Sequence, residues 1–171
     1  MVQNSFTLYK LIVLYILDKV DFPLTNAQIS DFILEKGYTD FLTLQQVFAD
    51  LIDGKLISGE SMRNRTFYQI TAEGRETLHY FHTRINPLIK DDVTNYLKEH
   101  EIDYRNEVSV RSDYRLLPEG EYQVSLSMKD KDSDLATITL NVPGEKIAAA
   151  ICNNWQEKNE QIYQYLTEQL F

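Results

Sequence analysis

Few residues in this chain have the types and spacing that bond-making chemistry requires. His79 and His82 stand three apart, a spacing that puts two imidazoles on one helical face and could ligate a metal. Two ligands are an incomplete set, and His100 and Cys152 are remote in sequence, so both are expected to be ordinary surface or interface histidines with no metal. Asp130, Asp132 and Asp134 alternate like the opening of a calcium loop, but the glycine and the later glutamate of that loop are absent, which leaves a solvated hairpin tip. Cys152 is the single cysteine and follows an alanine run; it is expected in the core, where a small thiol packs like a hydrophobe. The eleven tyrosines lack the spacing of a stacking platform. No Gly-rich phosphate loop, nucleophile elbow or paired carboxylates occur, so no catalytic residue and no cofactor are expected, and the chain is not expected to be an enzyme. What remains is a polar, basic stretch, Arg63-Asn64-Arg65, able to supply charge and hydrogen bonds.

The elements that would position these residues follow from composition and pattern. Leu, Ile, Val and Phe supply 51 of 171 residues, enough for a folded protein with its own core. At this length the expectation is one domain or two small ones. One cysteine permits no internal disulfide and fits a reducing compartment. The longest apolar run, Leu11 to Leu17, is far shorter than the roughly 20 residues of a membrane span, and no small-residue cleavage site follows it. A cytoplasmic protein with no membrane contact is expected. The net charge of −9 is unevenly spread: residues 1–90 carry nine basic and ten acidic side chains, residues 91–171 eight and sixteen. Residues 55–90 alone hold six basic and three acidic ones, which suggests two units with different tasks.

Phe6 to Val20 is free of Gly and Pro and apolar on nearly every face, the pattern of a helix buried all round. A small domain seldom covers such a helix unaided, so a second subunit is a candidate cover. Thr25 and Gln28 spell a capping box with Leu24 and Ile29 as its hydrophobic staple, and the helix ends at Gly37. The same grammar recurs with Thr43 as cap, Gln46 reaching back and Leu42 stapled to Val47; Leu44, Val47, Phe48 and Leu51 face inward, and Gly54 ends the helix. Residues 55–60 and 66–70 then read as strands around the tip at 61–65. Thr71 caps a helix to about Thr83, and Asn86-Pro87 opens another to about His100, with a linker over 101–106. Beyond it, Val108, Val110, Tyr114 and Leu116 alternate, as do Tyr122 to Met128 and Ala136 to Val142. A long helix with Ile147, Ile151, Trp155, Ile162 and Leu166 along one stripe closes the chain. The expected layout is α+β: domain 1–100 of helices and a hairpin, then an acidic β-β-β-α domain 101–171, a three-stranded antiparallel meander crossed by one helix.

Helix, helix, short turn, helix and β-hairpin within 80 residues is the winged helix-turn-helix arrangement. Leu51-Ile52-Asp53-Gly54-Lys55-Leu56-Ile57 resembles that family's passage from recognition helix into first wing strand. Arg65-Thr66-Phe67-Tyr68-Gln69-Ile70-Thr71-Ala72-Glu73-Gly74-Arg75 resembles the second wing strand and the Thr-x-x-Gly that starts the next helix. Residues 5–85 are thus similar to bacterial regulators of the PadR and MarR types. The whole chain also resembles a family of Firmicute proteins of similar length, defined only as a domain of unknown function.

The resemblance implies a transcriptional regulator that binds double-stranded DNA. Thr43, Gln45 and Gln46 would then lie in the major groove, where side-chain amides bond bidentately to adenine. Arg63, Asn64 and Arg65 would meet a phosphate backbone or the adjacent minor groove, and the helix N-termini at Asn26 and Leu44 would offer backbone donors to phosphate. The candidate recognition helix departs from the pattern: it has no Lys or Arg and carries Asp50 and Asp53 near its end, so a shallow salt dependence is expected. A homodimer joined through the first and last helices, the latter presenting Ile162, Leu166 and Leu170, would offset weak half-sites. Two other functions fit the same layout: a protein-interaction module without DNA affinity, and a regulator sensing an effector in the second domain.

Overall fold

The computed structural model describes residues 2–62, 65–130 and 133–171, so Arg63 and Asn64 of the expected tip lie outside the described residues. The order of elements is α1 (Val2–Asp18), β1 (Leu24–Thr25), α2 (Asn26–Glu35), α3 (Phe41–Asp53), β2 (Ile57–Met62), β3 (Arg65–Ile70), α4 (Ala72–Phe81), a 3-10 turn (His82–Arg84), α5 (Pro87–Ser109), β4 (Val110–Leu116), β5 (Tyr122–Asp130), β6 (Ser133–Val142) and α6 (Glu145–Leu170). The class is α+β with two antiparallel three-stranded sheets, ordered β1-β3-β2 and β4-β5-β6. The chain divides into two compact units, Met1–Tyr104 and Arg105–Phe171.

In the first unit α1 is buried along Leu11–Leu14, Ile16 and Leu17, packed on α3, α4 and β3 of the same unit. The first unit thus supplies cover for the helix, for which a second subunit was a candidate. The apolar surface of α1 is met by the inward stripe of α3 (Leu44, Val47, Phe48 and Leu51, all buried) and by the sheet. Thr25 caps α2 as expected: Gln28 N–H donates to Thr25 Oγ1 (3.1 Å), and Thr25 N–H to Gln28 Oε1 (2.9 Å). Leu24 and Thr25 also pair with Tyr68 and Phe67, making a third strand too short to leave any periodicity in the sequence. Gly37, at φ +67°, follows α2 in the left-handed conformation that glycine accepts most readily.

The cap of α3 departs from expectation. Asp40, not Thr43, is the N-cap: Thr43 N–H donates to Asp40 Oδ1 (2.9 Å) and the Thr43 hydroxyl to Asp40 Oδ2 (2.7 Å). A carboxylate accepting two bonds at a helix N-terminus outcompetes a hydroxyl, and the backbone bond from Thr43 holds the Asp40 carboxyl below the usual range. The helix therefore begins at Phe41, and Leu42, expected as a staple, is 79% exposed. Gly54 closes α3 in a right-handed conformation, and the left-handed position falls to Lys55 (φ +57°).

The turn between α2 and α3 is tied to α5. Tyr38 donates its hydroxyl to Asp92 (2.6 Å), and Lys36 lies 3.5 Å from the same carboxylate. Burial, then the bond to Asp92, pushes the Tyr38 phenol above its ordinary range. The bond from Tyr38, then the Lys36 charge, holds Asp92 below the usual carboxylate range. Linkage fixes the sign at both ends of the pH scale. A depressed carboxyl contributes stability above its unfolded pKa and loses it as pH falls; a raised phenol contributes below its unfolded pKa, about 10, and loses it as pH rises. Tyr38→Phe should therefore lower the denaturant midpoint most at neutral pH, with the gap to wild type narrowing near pH 3 and above pH 10. A gap constant across that range would show that the pair is not coupled to folding.

The expected linker over 101–106 is helical. Tyr96, His100 and Tyr104 recur every four residues along α5, His100 stacking on both rings (4.2 and 5.4 Å) while the two hydroxyls share a 2.8 Å hydrogen bond. No Gly or Pro interrupts them, so α5 continues to Ser109 and Val108 is helical rather than the start of a strand.

In the second unit β4, β5 and β6 form a meander whose inward positions on β5, Val124, Leu126 and Met128, pack against α6. The buried stripe of α6 is Ala148, Cys152, Trp155 and Asn159: Trp155 is as expected and Ile151 and Ile162 pack at its edge, but Ile147 is exposed. Trp155 Nε1–H donates to Ser127 O (3.2 Å), and the Ser112 hydroxyl to Cys152 O (3.3 Å), which satisfies the polar groups this core encloses. Ile162 is half-buried, while Tyr165, Leu170 and Phe171 at the end of α6 are exposed. No helix among the described residues is long and apolar enough to cross a membrane.

Candidate nucleic-acid interface

α2 and α3 bring two of the singled-out residues together. Asn26 Nδ2 donates to Gln45 Oε1 (3.0 Å), Gln45 Nε2 donates back to Asn26 Oδ1 (3.3 Å), and the Ser30 hydroxyl donates to the same Asn26 oxygen (3.0 Å). This reciprocal amide pair is half-buried and fixes the first turn of α2 against α3. Gln45 therefore presents an amide already held in one orientation. Gln46, exposed one position on, donates Nε2 to Asp50 Oδ1 (2.9 Å) instead of reaching back to the cap. Thr43 is half-buried and engaged with Asp40.

The electrostatics of α3 differ from a count of its charges. Lys10 of α1 lies 2.8 Å from Asp50, and that contact, then the bond from Gln46, holds the Asp50 carboxyl below its ordinary range. Asp50 is thus ionised but balanced by a neighbouring ammonium, which leaves Asp53 at the exposed end. At the N-terminus of α3 the Asp40 carboxylate occupies the Thr43 N–H and adds a negative charge that disfavours a second anion. At α2 the Thr25 hydroxyl likewise occupies the Gln28 N–H. At each of these two helix ends one of the backbone donors is engaged by a cap.

Beside Gln46, the outer side of α3 carries Phe41, Leu42 and Ile52, which sequence reasoning did not place there. Leu42, Gln46 and Ala49 are exposed opposite the inward stripe, and Phe41 and Ile52 are exposed along its edge. Counting around the helix from Leu44, Val47, Phe48 and Leu51 would have found them. The charges on this side are Asp50, paired with Lys10, and Asp53. Arg65 begins β3, exposed and paired in register with Met62 at the end of β2.

No group of three or more His, Cys, Asp or Glu side chains among the described residues could hold a metal. His79 and His82 lie with their rings 6.1 Å apart, the His82 Nδ1 bonded to the His79 carbonyl (2.7 Å). Behind α2 is an apolar cavity of only about 10 Å³, lined by Phe32, Val93, Tyr96 and Leu97, no larger than one water. In the second unit Trp155, 1% exposed, fills the space between sheet and helix where an effector was one expectation.

No curated protein and no solved structure matches the chain. A family model described as a domain of unknown function, DUF4364, matches residues 9–170, which takes in nearly all of both units. The chain belongs to the DUF4364 family.

Proposed function

We propose that the first unit is a winged helix-turn-helix domain and that the protein is a DNA-binding transcriptional regulator, acting as a homodimer. The observation that carries this reading is the succession α1-β1-α2-α3-β2-β3 with sheet order β1-β3-β2, in which the α2–α3 pair precedes an antiparallel pair of strands whose second member opens with the exposed Arg65. α3 would enter the major groove with Gln45 and Gln46 toward base edges, and Leu42 and Ala49 toward thymine methyls. With no cation on α3, the phosphate contacts fall to the hairpin. The dimer is proposed through the exposed end of α6, at Tyr165, Leu170 and Phe171, since α1 is covered by its own unit.

The test is fluorescence anisotropy with duplex DNA from upstream of the protein's own gene, at low and moderate salt, for wild type and Arg63→Ala/Arg65→Ala. Salt-sensitive binding is expected, two subunits per site, and the double variant, which removes two arginines from each subunit, should lower the slope of log affinity against log salt by about 4. Equal, negligible binding by both folded proteins at low salt would overturn the reading. One observation favours a second function, a protein-interaction module: the exposed Phe41, Leu42 and Ile52 give α3 an apolar side suited to a partner's groove. The same null result in DNA binding would move the search to protein partners of that side.

A further inference from the structure

In the first unit an open groove of about 720 Å³ lies where the last turn of α1, α4, the 3-10 turn and the start of α5 meet. Two cations line it. Lys19 Nζ stands 4.9 Å and Lys90 Nζ 5.9 Å from the centroid of one ring, Tyr15. Among the described residues neither ammonium has a carboxylate within ion-pair reach. His79 and His82 stand in the same wall. Arg75 and Asp18, also lining it, lie 3.4 Å apart and offset one another, so the remaining balance is two lysines against Glu76. In a chain with 26 acidic and 17 basic side chains, two lysines unpaired in one concavity form a localised positive site on an acidic protein.

We propose that this groove binds the phosphoryl group of a small phosphorylated molecule. Lysine ammonium groups act as point charges with several rotatable donors, which suits a tetrahedral dianion approached from several sides. A planar carboxylate is best matched by a guanidinium fork, and Arg75 is engaged with Asp18. The volume lies in the range of small-molecule sites and far exceeds one phosphate, so the groove also holds the body that carries it. Tyr15 supplies a half-buried aromatic wall for that body. The inference stands apart from whether α3 reads DNA, because it uses none of the same residues.

The full chain has three histidines, so side-chain imidazole NMR gives few signals to assign. Titration with inorganic phosphate should shift His79 and His82 saturably and leave His100, stacked between Tyr96 and Tyr104, unmoved. Sodium chloride at matched ionic strength should move none of them. Lys19→Gln/Lys90→Gln should weaken phosphate binding at least tenfold, whereas Lys98→Gln, an exposed lysine also on α5, should not. The proposal is overturned by any of three outcomes: no saturable shift, an equal response to chloride, or unchanged binding in the double variant. A 20-base-pair duplex that moves these histidines where inorganic phosphate does not would also overturn it, and would assign the groove to the nucleic-acid backbone.

Discussion

Gly74→Ala is expected to cost about 3 kcal/mol, although helix propensity alone says the opposite. Gly74 lies in the first turn of α4, where alanine is intrinsically better than glycine by about 1 kcal/mol. A Cβ there would stand 2.0 Å from the Leu56 carbonyl oxygen and 2.9 Å from Ile70 Cγ1. The carbonyl cannot yield easily, because it accepts the Thr71 N–H (3.1 Å) and the Thr71 hydroxyl (3.0 Å). Thr71 in turn accepts the Gly74 N–H (3.0 Å) as the cap of α4. The glycine is therefore required by a close approach of helix to strand, not by a turn or a positive φ. Overpacking against backbone sits at the upper end of the usual 1–3 kcal/mol. For a domain of about 100 residues that loss lowers the melting temperature by roughly 12–20 °C, readable by circular dichroism. A variant as stable as wild type would show that α4 does not dock on Leu56 as described.

That junction shows what kind of structure is legible in a sequence. Thr71-Ala72-Glu73-Gly74 is local, and both its roles, cap and close approach, belong to residues three apart. The same holds for Thr25 and Gln28, and for the inward stripe of α3, where spacing alone identifies the buried side. The cap of α3 was harder, because Asp40 and Thr43 are themselves three apart and each fits the position. Only geometry shows the hydroxyl donating to the carboxylate. β1 has two residues and no periodicity, and its partners Phe67 and Tyr68 lie far along the chain. The helical course of residues 101–106 was encoded in Tyr96, His100 and Tyr104, a ladder of aromatic rings that a search for aliphatic periodicity overlooks. At the candidate interface the residue types were legible but their engagements were not: Gln45 is held by Asn26, Gln46 by Asp50, and Asp50 by Lys10 from another helix. The groove around Tyr15 was invisible, since only His79 and His82 share a spacing and the two lysines reach it from distant parts of the chain.

Trp155→Ala carries the other large expected effect, and it falls on the second unit. Trp155 is fully enclosed among Val124, Leu126, Met128, Ala148 and Cys152, with Val110, Ile138 and Ile151 packed around them. Truncation removes its transfer energy, leaves a cavity and deprives the Ser127 carbonyl of its indole donor (3.2 Å). Aromatic-to-alanine changes in cores cost about 3–5 kcal/mol, while a small domain holds only about 5–15 kcal/mol in total. Residues 105–171 form the smaller unit, with one three-stranded sheet and one helix around this side chain. The variant should lose amide-exchange protection along β5 at 37 °C, whereas Trp155→Phe, which keeps most of the apolar area and forfeits the hydrogen bond, should retain it. Trp155 is also the single tryptophan, so its fluorescence in the wild-type protein reports on this core alone. Wild-type emission should be blue-shifted, as for a buried indole, and should move to the red in one transition with the loss of β5 protection. Emission typical of a water-exposed indole in the native protein, or β5 protection unaltered by Trp155→Ala, would place the core of the second unit elsewhere.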